Sequence, residues 1–154
     1  MDYAITPVLD KLACVLELPL GTNLSKLLLL ETFSAESGLK HLRQTNGPAL
    51  GLGQVEPATY EDVCNYTRRK GMAFLGKTLY CVYGDHYRDF PPPDYLCTDL
   101  RLQIVISRLI YWRVPQAIPE TLDKRAAYWK TYYNTPLGRG TVQHYLDSVP
   151  TSFR

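Results

Sequence analysis

The chain has 154 residues, enough for one domain that buries its own hydrophobic core. Hydrophobic residues make up 45% of it and charged residues 21%, a balance typical of folded proteins that excludes extensive disorder. The formal net charge of +2 is too small to indicate a nucleic-acid partner. The longest apolar run, residues 27–30, is too short to span a bilayer, so we predict no membrane insertion.

The cysteines and histidines give no sign of a metal site. No cysteine pair has the Cys-x-x-Cys spacing of zinc sites, and the histidines are scattered, so we predict no metal and no cofactor. The first twenty residues carry Asp2 and Asp10 but a single Lys, and so lack the basic start of a secretory signal. We therefore expect synthesis in a cytoplasm and delivery to any target outside it by another agent.

Helical periodicity recurs along the chain, whereas strand signals are weak. Apolar residues at helical spacing, bounded by capping residues, glycines and prolines, predict a mainly α fold. The predicted helices cover roughly residues 7–18, 23–37, 59–70, 72–83 with a break at Gly76, 94–114, 121–133 and 141–148. The segment 27–30 is apolar on all sides, so the helix containing it should be central and buried.

Glu36 occupies an unusual place in this pattern. It falls in the last turn of the predicted central helix, just before Gly38, a favourable helix stop. A carboxylate in a buried helix is costly unless it has partners or a function. Glu36 is therefore the first candidate for a catalytic group.

The residues around and after Glu36 form a recognisable set. Ala35-Glu36-Ser37-Gly38 is followed by a loop and then by the stretch Gly51-Leu52-Gly53-Gln54-Val55-Glu56-Pro57-Ala58-Thr59. This arrangement resembles the lytic transglycosylases of the lysozyme-like superfamily, in which a helix ends in Glu-Ser and a loop leads to Gly-Leu-x-Gln-x-x-Pro-x-Thr. The specific match covers about twenty-five residues, and the broader resemblance covers about residues 24–114.

Two further stretches bear on the resemblance. The family carries a late Tyr in an Ala-Tyr-Asn-Ala-Gly stretch. Tyr111 lies at a fitting distance for it, but the Asn-Ala-Gly does not follow Tyr111. Residues 128–141 and 43–52 resemble small transglycosylase-like proteins of tailed bacteriophages, which implies a phage origin. We expect one lysozyme-like domain over 1–154, with a catalytic core at about 24–114 and a helical C-terminal extension at 115–154.

The resemblance implies cleavage of the MurNAc-GlcNAc β-1,4 bond of peptidoglycan, with a 1,6-anhydro product, during phage genome entry or lysis. Glu36 would serve first as acid and then as base. Ser37 would line the cleft or orient Glu36, and Gln54 would hydrogen-bond the substrate. Tyr111 would hydrogen-bond Glu36, and Gly53 would let the backbone approach a sugar. Glycan strands, and other virion proteins, are the implied partners, and the protein would be virion-associated or delivered to the periplasm or wall.

Two other functions stay open at this point. Glu56 stands where the family usually has an apolar residue, so it could act as a second acid and make the protein a muramidase that hydrolyses the same bond. The absent Asn-Ala-Gly also fits a catalytically silent, lysozyme-like structural protein of a phage virion.

Overall fold

A computed structural model describes residues 22–84 and 88–151. The predicted mainly α class is confirmed for this part of the chain, where two isolated β-bridges in the loop after the first helix are the sole extended pairing. The helix predicted over 7–18 lies outside the described residues. The α-helices are α1 (Asn23–Ser37), α2 (Pro57–Arg69), α3 (Met72–Tyr83), α4 (Leu100–Trp112), α5 (Leu122–Tyr132) and α6 (Val142–Ser148), and a 3-10 helix, Pro93–Cys97, precedes α4.

Helix α1 is the central element, as its apolar content predicts. It begins with a capping box in which the Thr22 side chain accepts from the Ser25 amide at 3.1 Å and Ser25 Oγ accepts from the Thr22 amide at 2.6 Å. It ends at Gly38, which adopts a left-handed conformation with φ of 59°. From Leu28 to Ser37 every residue except Glu36 is buried, so this part of α1 is enclosed by the other helices.

Helix α4 contributes a second large set of side chains to the hydrophobic core. All residues from Leu102 to Tyr111 are buried, and Asp99 caps the helix by accepting from the amides of Arg101 and Leu102. Helix α6, from the segment expected to be an extension, packs directly against α1, and α5 packs against α6. Helix α5 reaches α1 through the side chains of Arg125 and Trp129. Within the described residues, no helix is both long enough and apolar enough to cross a membrane.

Two predicted helix boundaries and one predicted break within a helix were wrong. Helix α2 begins at Pro57 rather than Thr59, because the fixed φ of proline suits the first helical position. Gly76 does not interrupt α3, since a glycine within an otherwise favourable segment is tolerated. The helix predicted over 94–114 is divided at Asp99 into the 3-10 helix and α4.

A buried ion pair joins α1 to α5. The guanidinium of Arg125 donates to both carboxylate oxygens of Glu31 at 2.7 Å, and the hydroxyl of Tyr145 donates to the same carboxylate at 2.8 Å. Glu31 is fully buried and Arg125 is 3% exposed. Since a buried charge needs such partners, this network connects α1, α5 and α6 and leaves Glu31 with a structural role.

Arg125→Met should destabilise the fold by about 3–5 kcal/mol, because it leaves the Glu31 carboxylate buried without its cation. Asp94→Asn is the matched control. It removes an ion pair with Arg43 whose side chains are 64% and 74% exposed, and it should cost less than about 1 kcal/mol. Denaturant unfolding at neutral pH measures both, and equal losses would contradict the structural role of the buried pair.

Candidate active site

Glu36 lies in the last turn of α1 and is half-buried. Next to it is a small apolar cluster that is separate from the main core and contains Ala35, Trp129 and Tyr145. The rings of Trp129 and Tyr145 are 5.0 Å apart. The carboxyl therefore lies beside the ring of Trp129, at the edge of this apolar cluster.

Burial raises the pKa of Glu36 from 4.5 to about 7. Two side-chain hydrogen bonds, from Trp129 and Asn134, and the nearby charges of His144 and Lys130 oppose this rise without cancelling it. Glu36 is thus about half protonated at neutral pH, which is the state that a group needs to donate a proton and later to accept one.

The indole of Trp129 donates a hydrogen bond to Glu36. Trp129 Nε1 lies 2.9 Å from Glu36 Oε1. An indole N–H only donates, so this contact stabilises the ionised carboxylate, which only accepts.

The hydroxyl of Tyr111 bonds to Thr32 Oγ1 at 2.8 Å, instead of to Glu36 as predicted. Thr32 lies one helical turn before Glu36 on α1, so Tyr111 meets the helix one turn too early to reach the carboxyl. Tyr111 is buried, and its ring centroid lies 5.2 Å from that of Tyr133. Tyr111 therefore supports the ring of Tyr133 beside the site.

Ser37 is buried, and its hydroxyl donates to the Phe33 carbonyl of its own helix at 3.0 Å. This bond directs the hydroxyl into α1, because a serine in a helix readily donates to the carbonyl four residues before it. In this structure Ser37 is thus part of the helix end that presents Glu36.

The loop from Gly51 to Gln54 is held by side chains from α4 and from the end of α5. The Leu52 amide donates to Gln103 Oε1 at 2.8 Å, and the Tyr133 hydroxyl donates to the Gly53 carbonyl at 2.8 Å. Gln54 adopts a positive φ of 46°, and its Nε2 donates to the Gly51 carbonyl at 2.9 Å. Gly53 and Gln54 therefore lie in a loop that Gln103 and Tyr133 hold by hydrogen bonds to its backbone.

Gly53 is required by the close packing of this loop. A Cβ atom there would lie 2.5 Å from Ser107 Oγ and 3.2 Å from Phe33 Cε1, and it would collide with the Tyr133 hydroxyl. The absence of a side chain thus lets the Tyr133 hydroxyl reach the Gly53 carbonyl. From the sequence, Gly53 was expected to let the backbone approach a sugar.

The other carboxylates have different surroundings. Glu56 is exposed at the N-terminus of α2, where its side chain makes no capping bond. Glu31 is held by Arg125, as described above. In the described part of the chain, no group of three or more His, Cys, Asp or Glu side chains is arranged to hold a metal ion.

Sequence reasoning missed Trp129 and the pair Tyr133-Asn134. Trp129 carries no local signal, because its partner Glu36 is 93 residues away in the chain. Tyr133-Asn134 did carry one, since it repeats the Tyr-Asn of the family's Ala-Tyr-Asn-Ala-Gly stretch. This pair lies near Glu36 in the structure: the Asn134 side chain acts to lower the pKa of Glu36, and the pKa of Tyr133 is raised first by burial and then by the charge of Glu36.

Glu36→Gln should alter how stability depends on pH. The folded pKa of about 7 lies above the ordinary value of 4.5, so the contribution of Glu36 is fully present below pH 4.5 and is lost as the pH rises through 7. Relative to the wild type, the Gln variant should gain on the order of 2–3 kcal/mol between pH 4 and pH 8. Denaturant unfolding across this range measures the gain, and a difference independent of pH would contradict the raised pKa.

Gly53→Ala should destabilise the fold by about 1–3 kcal/mol, because the new methyl group overpacks the contact with Tyr133 and Ser107. Gly76→Ala is the matched control. Gly76 is exposed within α3 with nothing near its Cβ position, so alanine should stabilise the helix there by up to about 1 kcal/mol. Thermal unfolding compares the two, and a neutral Gly53→Ala would show that the loop is not tightly packed.

Comparison with known proteins adds nothing to this picture. No protein-family model, no curated protein and no solved structure matches the chain. The resemblance seen in the sequence therefore rests on the residues of this chain alone.

Proposed function

We propose that the chain is a peptidoglycan lytic transglycosylase with a lysozyme-like fold and that Glu36 is its catalytic acid and base. The observation that carries this proposal is a single carboxyl with a pKa near 7, held by neutral donors beside an apolar cluster. The resemblance of residues 35–59 to that family supplies the substrate, the glycan strands of peptidoglycan.

The reaction needs one carboxyl that works twice. Protonated Glu36 gives its proton to the bridging oxygen as the bond from that oxygen to the sugar C1 breaks. Glu36, now a carboxylate, takes the proton of the C6 hydroxyl of the same sugar. The C6 oxygen forms a bond with C1 and closes a 1,6-anhydro ring, so no water enters and Glu36 ends protonated as it began.

The surroundings of Glu36 suit both halves of this cycle. Burial keeps the proton on the carboxyl until a glycosidic oxygen is present to accept it. The indole of Trp129 then donates to the carboxylate that forms. Because the indole is uncharged, it stabilises the anion without forming an ion pair that would abolish its basicity.

Hydrolysis of the same bond is the less favoured reaction. A hydrolase of the two-carboxylate kind needs a second carboxyl about 5–9.5 Å from the first. The groups that shift the pKa of Glu36 are Trp129, Asn134, His144 and Lys130, and none of them is a carboxylate. Glu56 is exposed at the start of another helix. A one-carboxyl mechanism therefore fits the site better.

The proposed setting is a tailed bacteriophage, in genome entry or lysis, with the protein carried in the virion or delivered to the periplasm and wall. This part rests on the phage-like stretches at 128–141 and 43–52. A silent virion protein would share those stretches, but such a role would not require a carboxyl with a pKa near 7.

Incubation of purified protein with bacterial sacculi, followed by mass spectrometry of the soluble products, tests the proposal. The wild type should release 1,6-anhydro-muropeptides, and Glu36→Gln should reduce the rate roughly 10²–10⁴-fold because the proton donor is gone. Glu56→Gln is the matched control and should retain the wild-type rate.

Reducing-end products, heavier by one water, together with loss of activity in Glu56→Gln would show a muramidase instead. Absence of product from folded wild-type protein would overturn the enzymatic proposal and favour the structural one.

A further inference from the structure

The peptide unit just before Glu36 has a hydrogen-bond partner from another helix. His144 of α6 lies at the protein surface, and its ring Nε2 bonds to the Ala35 carbonyl at 2.8 Å. A carbonyl oxygen only accepts, so His144 Nε2 carries the hydrogen and donates it. Ala35 is buried, and a buried carbonyl needs such a donor.

The end of α1 explains why the Ala35 carbonyl accepts from a side chain. In a longer α-helix, the amide of Leu39 would donate to it. Here the helix ends at Gly38, and the Leu39 amide donates to the Phe33 carbonyl at 3.3 Å instead. His144 therefore supplies a donor at the point where the backbone of α1 no longer does so.

This bond acts on the backbone that carries Glu36. The Ala35 carbonyl and the Glu36 amide belong to one planar peptide unit, which ends at the Cα atom of Glu36. A donor on the Ala35 oxygen therefore restrains that Cα atom and the direction in which the side chain leaves the backbone. The far end of the side chain is held by Trp129, whose Nε1 lies 2.9 Å from Glu36 Oε1.

Helix α6 is itself held in place beside α1. Thr141 caps it by accepting from the His144 amide at 3.0 Å. The next residue, Tyr145, donates to the Glu31 carboxylate at 2.8 Å, and its ring lies 5.0 Å from that of Trp129. Because Tyr145 anchors α6 independently, the bond from His144 can be removed without releasing the helix.

We propose that His144 is a positioning residue for Glu36 and acts through the Ala35 carbonyl. This inference rests on the proposed role of Glu36 as acid and base. The bond from His144 fixes the backbone from which the acid extends, and the indole of Trp129 fixes the carboxyl. Held at both ends, the carboxyl meets the glycosidic oxygen in one orientation.

Two substitutions separate this hydrogen bond from the charge of His144, which acts to lower the pKa of Glu36. His144→Gln places an uncharged N–H donor at about the reach of the imidazole Nε2. His144→Phe keeps a ring but has neither the donor nor the charge. Both variants lack the charge, so the pKa of Glu36 should rise equally in both. Only His144→Phe lacks the donor, so only this variant should lose the positioning.

Steady-state kinetics on sacculi, at the optimum pH of each variant, measures the effect on the reaction. His144→Phe should lose roughly three- to tenfold in kcat, the loss expected for one hydrogen bond, with KM little changed. His144→Gln should retain the wild-type kcat. Gln143→Ala is the matched control and should match the wild type, because this exposed neighbour donates within α6 to Asp147.

Hydrogen exchange at the Trp129 indole, followed by NMR under native conditions, needs no turnover. The indole is buried and its N–H is held by Glu36, so the exchange rate reports whether the carboxyl stays in place. Exchange should be roughly three- to tenfold faster in His144→Phe and unchanged in His144→Gln. A bond that serves stability alone would lower the unfolding midpoint of His144→Phe and leave its kcat unchanged.

Equal losses in His144→Phe and His144→Gln, or no loss in either, would overturn the positioning role. If His144→Phe does not fold, His144→Asn replaces it, because the shorter amide cannot reach the Ala35 carbonyl from the same backbone position.

The two readouts also tell failure of this inference from failure of the proposed function. If the wild type releases no product but indole exchange is faster only where the donor is lost, the glycan-cleaving function fails and the positioning of Glu36 stands. If product forms and the Phe and Gln variants behave alike, the function stands and the role of His144 fails.

Discussion

The buried pair between Glu31 and Arg125 sets the alignment of the two helices on which the candidate site depends. Both groups are almost fully removed from solvent, and the guanidinium holds both oxygens of the carboxylate. Such a pair contributes little net stability compared with apolar packing, but separating its two groups would leave two buried charges without partners. The pair therefore favours the alignment of α5 and α1 in which the two groups meet.

This register delivers Trp129 to Glu36. Trp129 follows Arg125 by four residues on α5, about one helical turn, and Glu36 follows Glu31 by five residues on α1. The contact between Glu36 and Trp129 is thus the next one along the same helix pair. The two carboxyls of α1 differ in their partners. Glu31 accepts from a guanidinium and a hydroxyl, whereas Glu36 accepts from the uncharged indole of Trp129, and burial raises its pKa to about 7.

Local patterns predicted most of the helices and the place of Glu36 among them. The apolar residues of 27–30 and the stop at Gly38 follow from periodicity and capping alone. The continuous burial from Leu102 to Tyr111, which includes Gln103 and Arg108, does not follow from them. The partners of Glu36 do not follow either, because they lie about a hundred residues later and meet it only through tertiary packing. Spacing in the chain predicts Tyr111 as the partner. The hydroxyl of Tyr111 bonds to Thr32, one turn of α1 before the expected partner, Glu36. Spacing in the chain cannot distinguish two positions that lie one turn apart.

The end of α5 shows why the loop and the acid belong to one arrangement. Tyr133 donates to the Gly53 carbonyl, while Trp129, one turn earlier on the same helix, donates to Glu36. A displacement of this helix end would therefore shift the Gly53 loop and remove a donor from the carboxyl at once. Lys130, on the same helix, donates to the Thr135 and Gly138 carbonyls of the segment that follows. Preorganisation of this kind is what a single carboxyl needs if it is to give and recover a proton without rearrangement between the two steps.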